Sequence, residues 1–208
     1  DNYRFELLAA SAEGSSRTVV DRQWKGGQPA VTPEVFGWDA SGPLATAEAE
    51  LGSQQGTQGR VLWGHAVHLD AAGAEGPVVG GTDCNVVQIV SGRVLCADDR
   101  FVSYSVRTAA GSTLWSLPQL PQGQYYAYVV LSPDGSHLAF SGGVRGRDGS
   151  SIPLPQNFNP EGWLDNATLI GITGENNQQE MATLRLDSPG RINDLGFKGE
   201  FIGVLAAP

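Results

Sequence analysis

The chain has 208 residues, among them 28 glycines and 12 prolines, and its formal net charge is −9. Glycine is nearly twice as frequent as the usual ~7%, and charged residues make up 17% where about 25% is usual, which excludes a coiled coil, a helix bundle and a disordered chain. This composition is typical of a turn-rich, mostly β protein. Because the negative charge repels phosphate backbones, no nucleic-acid partner is expected.

Short strands are predicted along most of the chain, because brief apolar runs are separated by Gly, Pro, Asp and Asn turns. Polar and apolar side chains alternate clearly in Phe101–Val106 and Met181–Leu186. The predicted strands are 3–10, 17–24, 60–69, 86–90, 93–98, 101–107, 112–117, 125–131, 136–141, 168–173, 180–186 and 201–205. Strands at this spacing indicate an all-β sandwich, barrel or propeller.

Three segments interrupt this pattern. Leu44–Leu51 has the composition of a helix of one or two turns, and a strand is an equal alternative. Gly52–Gly59 is a polar loop, and Ser141–Asn159 is predicted as a long loop because it shows no periodicity. A loop of that length is usually functional or mobile. No linker divides the chain, so a single domain over residues 1–208 is expected.

The two cysteines, Cys84 and Cys96, flank a predicted hairpin with a turn at Ser91-Gly92. With a two-residue turn they fall three positions out of register. A disulfide between them therefore requires a bulge, a longer turn, or a Cys84 that stands just before its strand. Two buried free thiols are the alternative. A disulfide would indicate an oxidising compartment.

The start of the chain and its composition also suggest how the protein is produced and where it comes from. No apolar run is long enough for a transmembrane helix, no signal peptide is present, and the chain starts within a predicted strand. We therefore expect a processed protein or an excised domain, with any membrane tether outside this chain. Lysine is scarce while arginine, alanine and glycine are abundant, which is typical of GC-rich bacterial coding.

Repeat signatures lie in the middle of the chain. Ser132-Pro133-Asp134-Gly135 precedes a predicted strand: Pro133 presets φ, Asp134 can bond to the neighbouring backbone and Gly135 accepts a positive φ. This SPDG segment resembles the repeat of TolB-like propellers. Residues 92–117 run as strand, Asp turn, strand, Gly turn and a strand with Trp115, and they resemble one repeat of quinoprotein-dehydrogenase-like propellers.

Further units are weaker. Residues 162–172 have a similar strand, Asp-Asn turn and strand order, and 35–42 are a divergent candidate. Because a blade takes ~40–45 residues, the resemblance implies a β-propeller of about five blades or a fragment of a larger propeller. In these families Trp115 would dock one repeat on the next.

The resemblance also suggests where a ligand would bind, because propellers meet ligands at the loops around one end of a central channel. Tyr and Trp side chains there would suit a sugar or a peptide. The aromatic candidates for ligand binding are Tyr125, Tyr126, Tyr128 and Trp163. Packing between blades is the alternative for these aromatics.

Arg145 and Arg147 are the clustered positive charge of this acidic chain, and they are the charged candidates for ligand binding. They could meet an acidic partner, and a solvated loop is the alternative. Of the other polar residues, His68 and Asp70 would share a strand face, but no Ser or Cys nucleophile lies nearby in sequence.

Neither a catalytic residue nor a metal site is assigned. The cysteines and histidines are too few and too scattered for a metal cluster. The adjacent cysteines, acidic ligands and stacking Trp of quinoprotein enzymes cannot be assembled from this chain, so no quinone or other cofactor is expected.

These features predict a non-catalytic, extracytoplasmic binding or scaffold module of a bacterial envelope or secreted protein, with a protein or carbohydrate ligand. A hydrolase or lyase acting on carbohydrate or peptide is one alternative, and it would have to use His68, Asp70 or His137. An accessory subunit of an envelope complex is another, and it would expose a contiguous apolar patch.

Titration of free thiols in the denatured, non-reduced protein tests the disulfide prediction. We expect no free thiol, because Cys84 and Cys96 are the whole cysteine content. Two titratable thiols per chain would refute the disulfide and weaken the extracytoplasmic location.

Overall fold

The computed structural model describes residues 2–10, 16–25, 35–39, 41–47, 56–58, 61–98, 100–118, 120, 129–174 and 179–199. Every helix or strand assigned in these ranges is a β-strand, which confirms the predicted all-β class. The first ten are β1 (Asn2–Ala10), β2 (Ser16–Lys25), β3 (Val35–Asp39), β4 (Gly42–Thr46), β5 (Gly56–Gln58), β6 (Val61–Trp63), β7 (Ala66–Leu69), β8 (Glu75–Val79), β9 (Asn85–Val90) and β10 (Arg93–Ala97). The others are β11 (Tyr104–Thr108), β12 (Thr113–Leu117), β13 (Val130–Leu131), β14 (His137–Phe140), β15 (Gly143–Gly146), β16 (Ser151–Pro153), β17 (Phe158–Trp163), β18 (Thr168–Thr173), β19 (Glu180–Arg185) and β20 (Ile192–Asp194).

Four of the described sheets have four strands, and in three of these the strands are consecutive in the chain. The four sheets are β3-β4-β7-β8, β9-β10-β11-β12, β13-β14-β15-β16 and β17-β18-β19-β20. The hairpins β1-β2 and β5-β6 form two-stranded sheets, and β5-β6 is inserted in the chain between β4 and β7. Sequential order follows from the abundant turns, since antiparallel neighbours can be joined by connections of a few residues.

The chain divides into two compact units. The first comprises Asp1–Cys96 and Arg107–Ser112, and the second comprises Ala97–Val106 and Thr113–Pro208. The expectation of a single domain over residues 1–208 stays a prediction.

The core of the second unit lies between two sheets. Side chains from β13–β16, including Val130, Ala139 and Val144, form one apolar cluster with Phe158 and Leu169 of the sheet β17–β20. Successive residues of a strand point to opposite faces. Leu131, Leu138 and Phe140, which alternate with the first set, are also buried. Both faces of the β13–β16 sheet therefore carry buried apolar side chains.

A disulfide joins Cys84 and Cys96 in the first unit, as predicted. Cys84 stands immediately before β9, which is one of the three solutions that the register required. The turn between β9 and β10 has two residues, and both have a positive φ (49° at Ser91 and 73° at Gly92), as a tight hairpin requires. Both sulfurs lie in an apolar cluster. The bond is consistent with an extracytoplasmic location.

Gly80 packs directly against this disulfide. Its φ is +80°, and a Cβ at this position would lie 2.8 Å from Cys84 Sγ and 3.2 Å from Cys96 Sγ. Its N–H donates to the carbonyl of Ala109 over 2.8 Å, and its carbonyl accepts from Arg107 Nη1 over 3.1 Å. Glycine is therefore required here both by its backbone conformation and by the space that the sulfurs occupy.

The prediction of a long loop over Ser141–Asn159 is wrong. The structure places β15, β16 and the start of β17 there. These strands escaped the periodicity test because β15 and β16 have only four and three residues, and β15 begins and ends with glycine. In the Leu44–Leu51 segment the strand alternative is correct as far as Thr46.

Two predicted strands have different bounds in the structure. The predicted strand 60–69 is two strands, β6 and β7, because the backbone changes partners at Gly64 and His65, whose carbonyls accept from Val86 and Ala47. The predicted strand 101–107 begins only at Tyr104. The predicted strand 201–205 and most of 125–131 lie outside the described residues.

Substitution of Gly80 by alanine tests the packing against the disulfide. Gly92→Ala is the matched control, because it has a similar φ of +73° but no atom within 4 Å of the added Cβ. We expect Gly92→Ala to lower the free energy of unfolding by about 1 kcal/mol, from the backbone conformation alone. Gly80→Ala should cost about 3 kcal/mol, since overpacking is added. Equal losses in urea unfolding would contradict the account.

Candidate functional site

The turn between β13 and β14 carries the SPDG motif, and its side chains bond to its own backbone. The buried Ser132 hydroxyl donates to Asp134 Oδ1 over 2.7 Å and accepts the N–H groups of Ser136 and His137 over 3.1 and 2.9 Å. Asp134 Oδ1 also accepts the Ser136 N–H over 3.0 Å. Gly135 has a φ of 68°, as the motif predicts. Two side chains therefore determine the path of the whole turn.

Side chains from other elements of the second unit bond to this turn. Trp115 on β12 donates its indole N–H to the carbonyl of Gly135 over 2.8 Å, and its role in docking one repeat on the next stays a prediction. The Asp134 N–H donates to Asn166 Oδ1 over 3.0 Å, and Asn166 lies in the turn between β17 and β18. The SPDG turn is thus hydrogen-bonded both to strand β12 and to the turn between β17 and β18.

Aspartate carboxylates organise other turns in the same way. Asp70 Oδ1 accepts the N–H groups of Ala72 and Ala74, each over 2.8 Å. The other aspartates that accept a backbone N–H from two to five residues ahead are Asp98, Asp148 and Asp165. A short acceptor side chain at this position stabilises a turn because it satisfies a donor that would otherwise need water.

These hydrogen bonds favour the ionised form of the carboxyl groups. Those donated by the side chain and backbone of Ser150 lower the pKa of Asp148, and the Ala167 N–H lowers the pKa of Asp165. At Asp134 burial raises the pKa, but the hydrogen bonds from Ser136 and Ser132 outweigh it and the pKa is lowered. The ionised turn aspartates therefore stabilise the fold by accepting hydrogen bonds within their own turns.

Of the four aromatic residues predicted to bind a ligand, the structure describes only Trp163. Tyr125, Tyr126 and Tyr128 lie outside the described residues. Trp163 is only 4% exposed, belongs to the core of the second unit, and donates its indole N–H to the carbonyl of Val130 over 3.1 Å. This burial favours the packing alternative for Trp163 over ligand contact.

The two arginine candidates lie on different elements. Arg145 is half-buried on β15, opposite Leu138 and Ser151, whereas Arg147 is exposed in the turn between β15 and β16. That turn is closed by the hydrogen bond between Gly149 N–H and the carbonyl of Gly146. The structure thus places the two side chains on a hairpin, and their binding role stays a prediction.

The candidates for catalysis are engaged in local contacts. Asp70 accepts the two turn N–H groups described above, and His68 is half-buried on β7. His137 belongs to the second unit, where its Nδ1 lies 2.7 Å from Ser136 Oγ and its ring centroid lies 6.2 Å from that of Trp163.

A polar cleft of about 510 Å³ in the second unit was missed by the sequence analysis. It is lined by Asn157, Thr173, Gly174, Glu180, Asp194 and Lys198. The lining residues come from five separate stretches of the chain, so no local motif marks them. Asn157 Nδ2 donates to Thr173 Oγ1 over 3.2 Å within the cleft.

Two further findings concern the described residues. They contain no group of three or more His, Cys, Asp or Glu side chains that could hold a metal ion. No helix in that part of the chain is long and apolar enough to cross a membrane. In comparisons with known proteins, neither a family model nor a curated protein matches this chain.

The turn aspartates predict a loss of stability in acid. The folded-state pKa of Asp165 lies below its unfolded value of about 3.9, so its stabilising contribution is complete above that pH and is lost as the pH falls through the folded-state pKa. Asp165→Asn keeps an acceptor oxygen but does not titrate. In urea unfolding from pH 7 to pH 3, wild type should therefore lose more stability than the variant. Parallel pH profiles would contradict this.

Proposed function

We propose that this protein is a non-catalytic, extracytoplasmic module that binds a protein or carbohydrate ligand on a β-propeller scaffold of a bacterial envelope or secreted protein. The proposal rests chiefly on one observation: in the second unit, hydrogen bonds at the SPDG turn tie the sheet β13–β16 to strand β12 and to the sheet β17–β20. Such a scaffold holds the loops at the ends of its strands in a fixed geometry. Side chains on these loops are therefore well placed to bind a ligand.

The propeller architecture is supported by the sheets themselves. Three of the four larger sheets are sequential four-stranded meanders, the form of a propeller blade, and the fourth, β3-β4-β7-β8, has the same order with the hairpin β5-β6 inserted. The β13–β16 sheet buries apolar side chains on both faces, which stacked sheets require. The SPDG and Trp115 contacts agree with the families that the sequence resembles. We propose that the protein is a β-propeller of about five blades or a fragment of a larger propeller.

The absence of catalysis is inferred from how the polar side chains are used. Ser136 lies between Asp134 and His137: its Oγ donates to Asp134 Oδ1 over 2.7 Å and lies 2.7 Å from His137 Nδ1. In a catalytic triad the histidine is in the middle, where it removes the serine proton. With the carboxylate on its hydroxyl, Ser136 is held as part of the turn instead.

The extracytoplasmic setting is supported by the buried disulfide, because such bonds persist in oxidising compartments. In the chain-entropy model a bridge that closes so short a loop stabilises the fold by roughly 3 kcal/mol.

Ligand-observed NMR tests binding without turnover. The protein is incubated with neutral disaccharides and with short peptides, and saturation transfer and product signals are followed over a day. We expect transfer to a ligand whose own resonances stay unchanged. Growth of product signals in proportion to protein concentration would contradict the proposal and favour the hydrolase or lyase alternative. In that case His68→Ala and His137→Ala would identify the site.

A further inference from the structure

The polar cleft lined by Asn157, Glu180, Asp194 and Lys198 has the size and the hydrogen-bonding groups of a ligand-binding site. Building on the proposed binding function, we propose that it is a carbohydrate-binding site for a neutral, polyhydroxylated saccharide. Its lining offers both acceptors and donors, and it lies in one compact unit.

The cleft follows from the register of the sheet β17–β20. Thr173 pairs with Glu180, and Asp194 pairs with Ala182, two residues further along β19. Paired residues lie on the same face, as do residues two apart on one strand. Thr173, Glu180 and Asp194 therefore share one face of the sheet with Ala182.

That face changes character along its length. At the far end of the same strands it carries Leu169, Leu184 and Ile192, which pack in or against the core of the second unit. At the near end the corresponding positions are Thr173, Glu180 and Asp194. On β17 that end still carries Phe158, which pairs with Thr173 and is buried in the core. The polar surface is therefore confined to β18–β20, and the cleft lies there.

The lining groups are complementary to sugar hydroxyls. The carboxylates of Glu180 and Asp194 can each accept hydrogen bonds from a pair of neighbouring hydroxyls, and both residues are exposed. The Asn157 amide and the Lys198 ammonium can donate to ring or hydroxyl oxygens. A sugar hydroxyl both donates and accepts, so this mixture serves it better than a purely apolar or purely anionic ligand.

Charge and size favour a neutral ligand over a basic peptide. The two carboxylates and one ammonium of the lining leave a formal charge of only −1, and Lys198 repels a second cation. The volume of about 510 Å³ falls in the usual range of small-molecule sites of about 300–1,000 Å³.

Titration of the ¹⁵N-labelled protein with maltose, cellobiose and diacetylchitobiose, followed by ¹H–¹⁵N spectra, tests the proposal. At least one disaccharide should shift the amides of Thr173, Glu180 and Asp194 saturably. Glu180→Ala with Asp194→Ala should raise Kd at least tenfold. The matched control is Asp187→Ala, because Asp187 is an exposed carboxylate beyond the opposite end of β19 that pairs with Arg185. It should leave Kd unchanged, and dispersed spectra show that each variant is folded.

The outcomes separate this inference from the proposed function. No saccharide binding, shifts confined to amides outside the cleft, or an unchanged Kd in the double variant would overturn the carbohydrate site. Tighter binding of trilysine than of any disaccharide at the cleft amides would overturn it in favour of a basic peptide. None of these results refutes a binding module, whereas consumption of the disaccharide would refute the non-catalytic function itself.

Discussion

The hydrogen bonds that the side chains of Ser132 and Asp134 accept from backbone N–H groups of their own turn are the constraint on which the second compact unit depends. The Ser132 hydroxyl is fully buried, so its three hydrogen bonds replace all contact with water. With the turn held in this way, the carbonyl of Gly135 and the N–H of Asp134 are presented to Trp115 and Asn166. A change in the turn would move both docking contacts at once.

The same chemistry gives a structural meaning to part of the acidic composition. A net charge of −9 suggests at first a protein whose surface repels anions. Five aspartates instead accept backbone N–H groups in turns: Asp70, Asp98, Asp134, Asp148 and Asp165. In the first unit Asp83 pairs with Arg107 through both carboxylate oxygens, beside the disulfide. These carboxylates are used within the fold, whereas Glu180 and Asp194 face a cleft.

Local chemistry was predictable from the sequence, and long-range assembly was not. The positive φ of Gly135, the backbone-bonding role of Asp134 and the two-residue turn at Ser91-Gly92 follow from residue types at adjacent positions. The disulfide pairing could be inferred, but the choice among its three geometries required the observed start of β9.

The errors have an equally local cause. Strands as short as β15 and β16 hold too few residues to show alternation, and glycine at both ends of β15 hides its apolar character. Trp163 was a reasonable ligand-binding candidate by residue type, but its position on β17 places it in the core. The cleft could not be anticipated, because strand pairing alone brings Thr173, Glu180 and Asp194 together.

A double-mutant cycle of Ser132→Ala and Asp134→Ala tests most directly whether this turn acts as one hydrogen-bonded unit. The two side chains share a hydrogen bond and a common donor, the Ser136 N–H. The free energies of unfolding of the four proteins should give a coupling energy of about 1 kcal/mol or more. Losses that add to within about 0.3 kcal/mol would contradict the account.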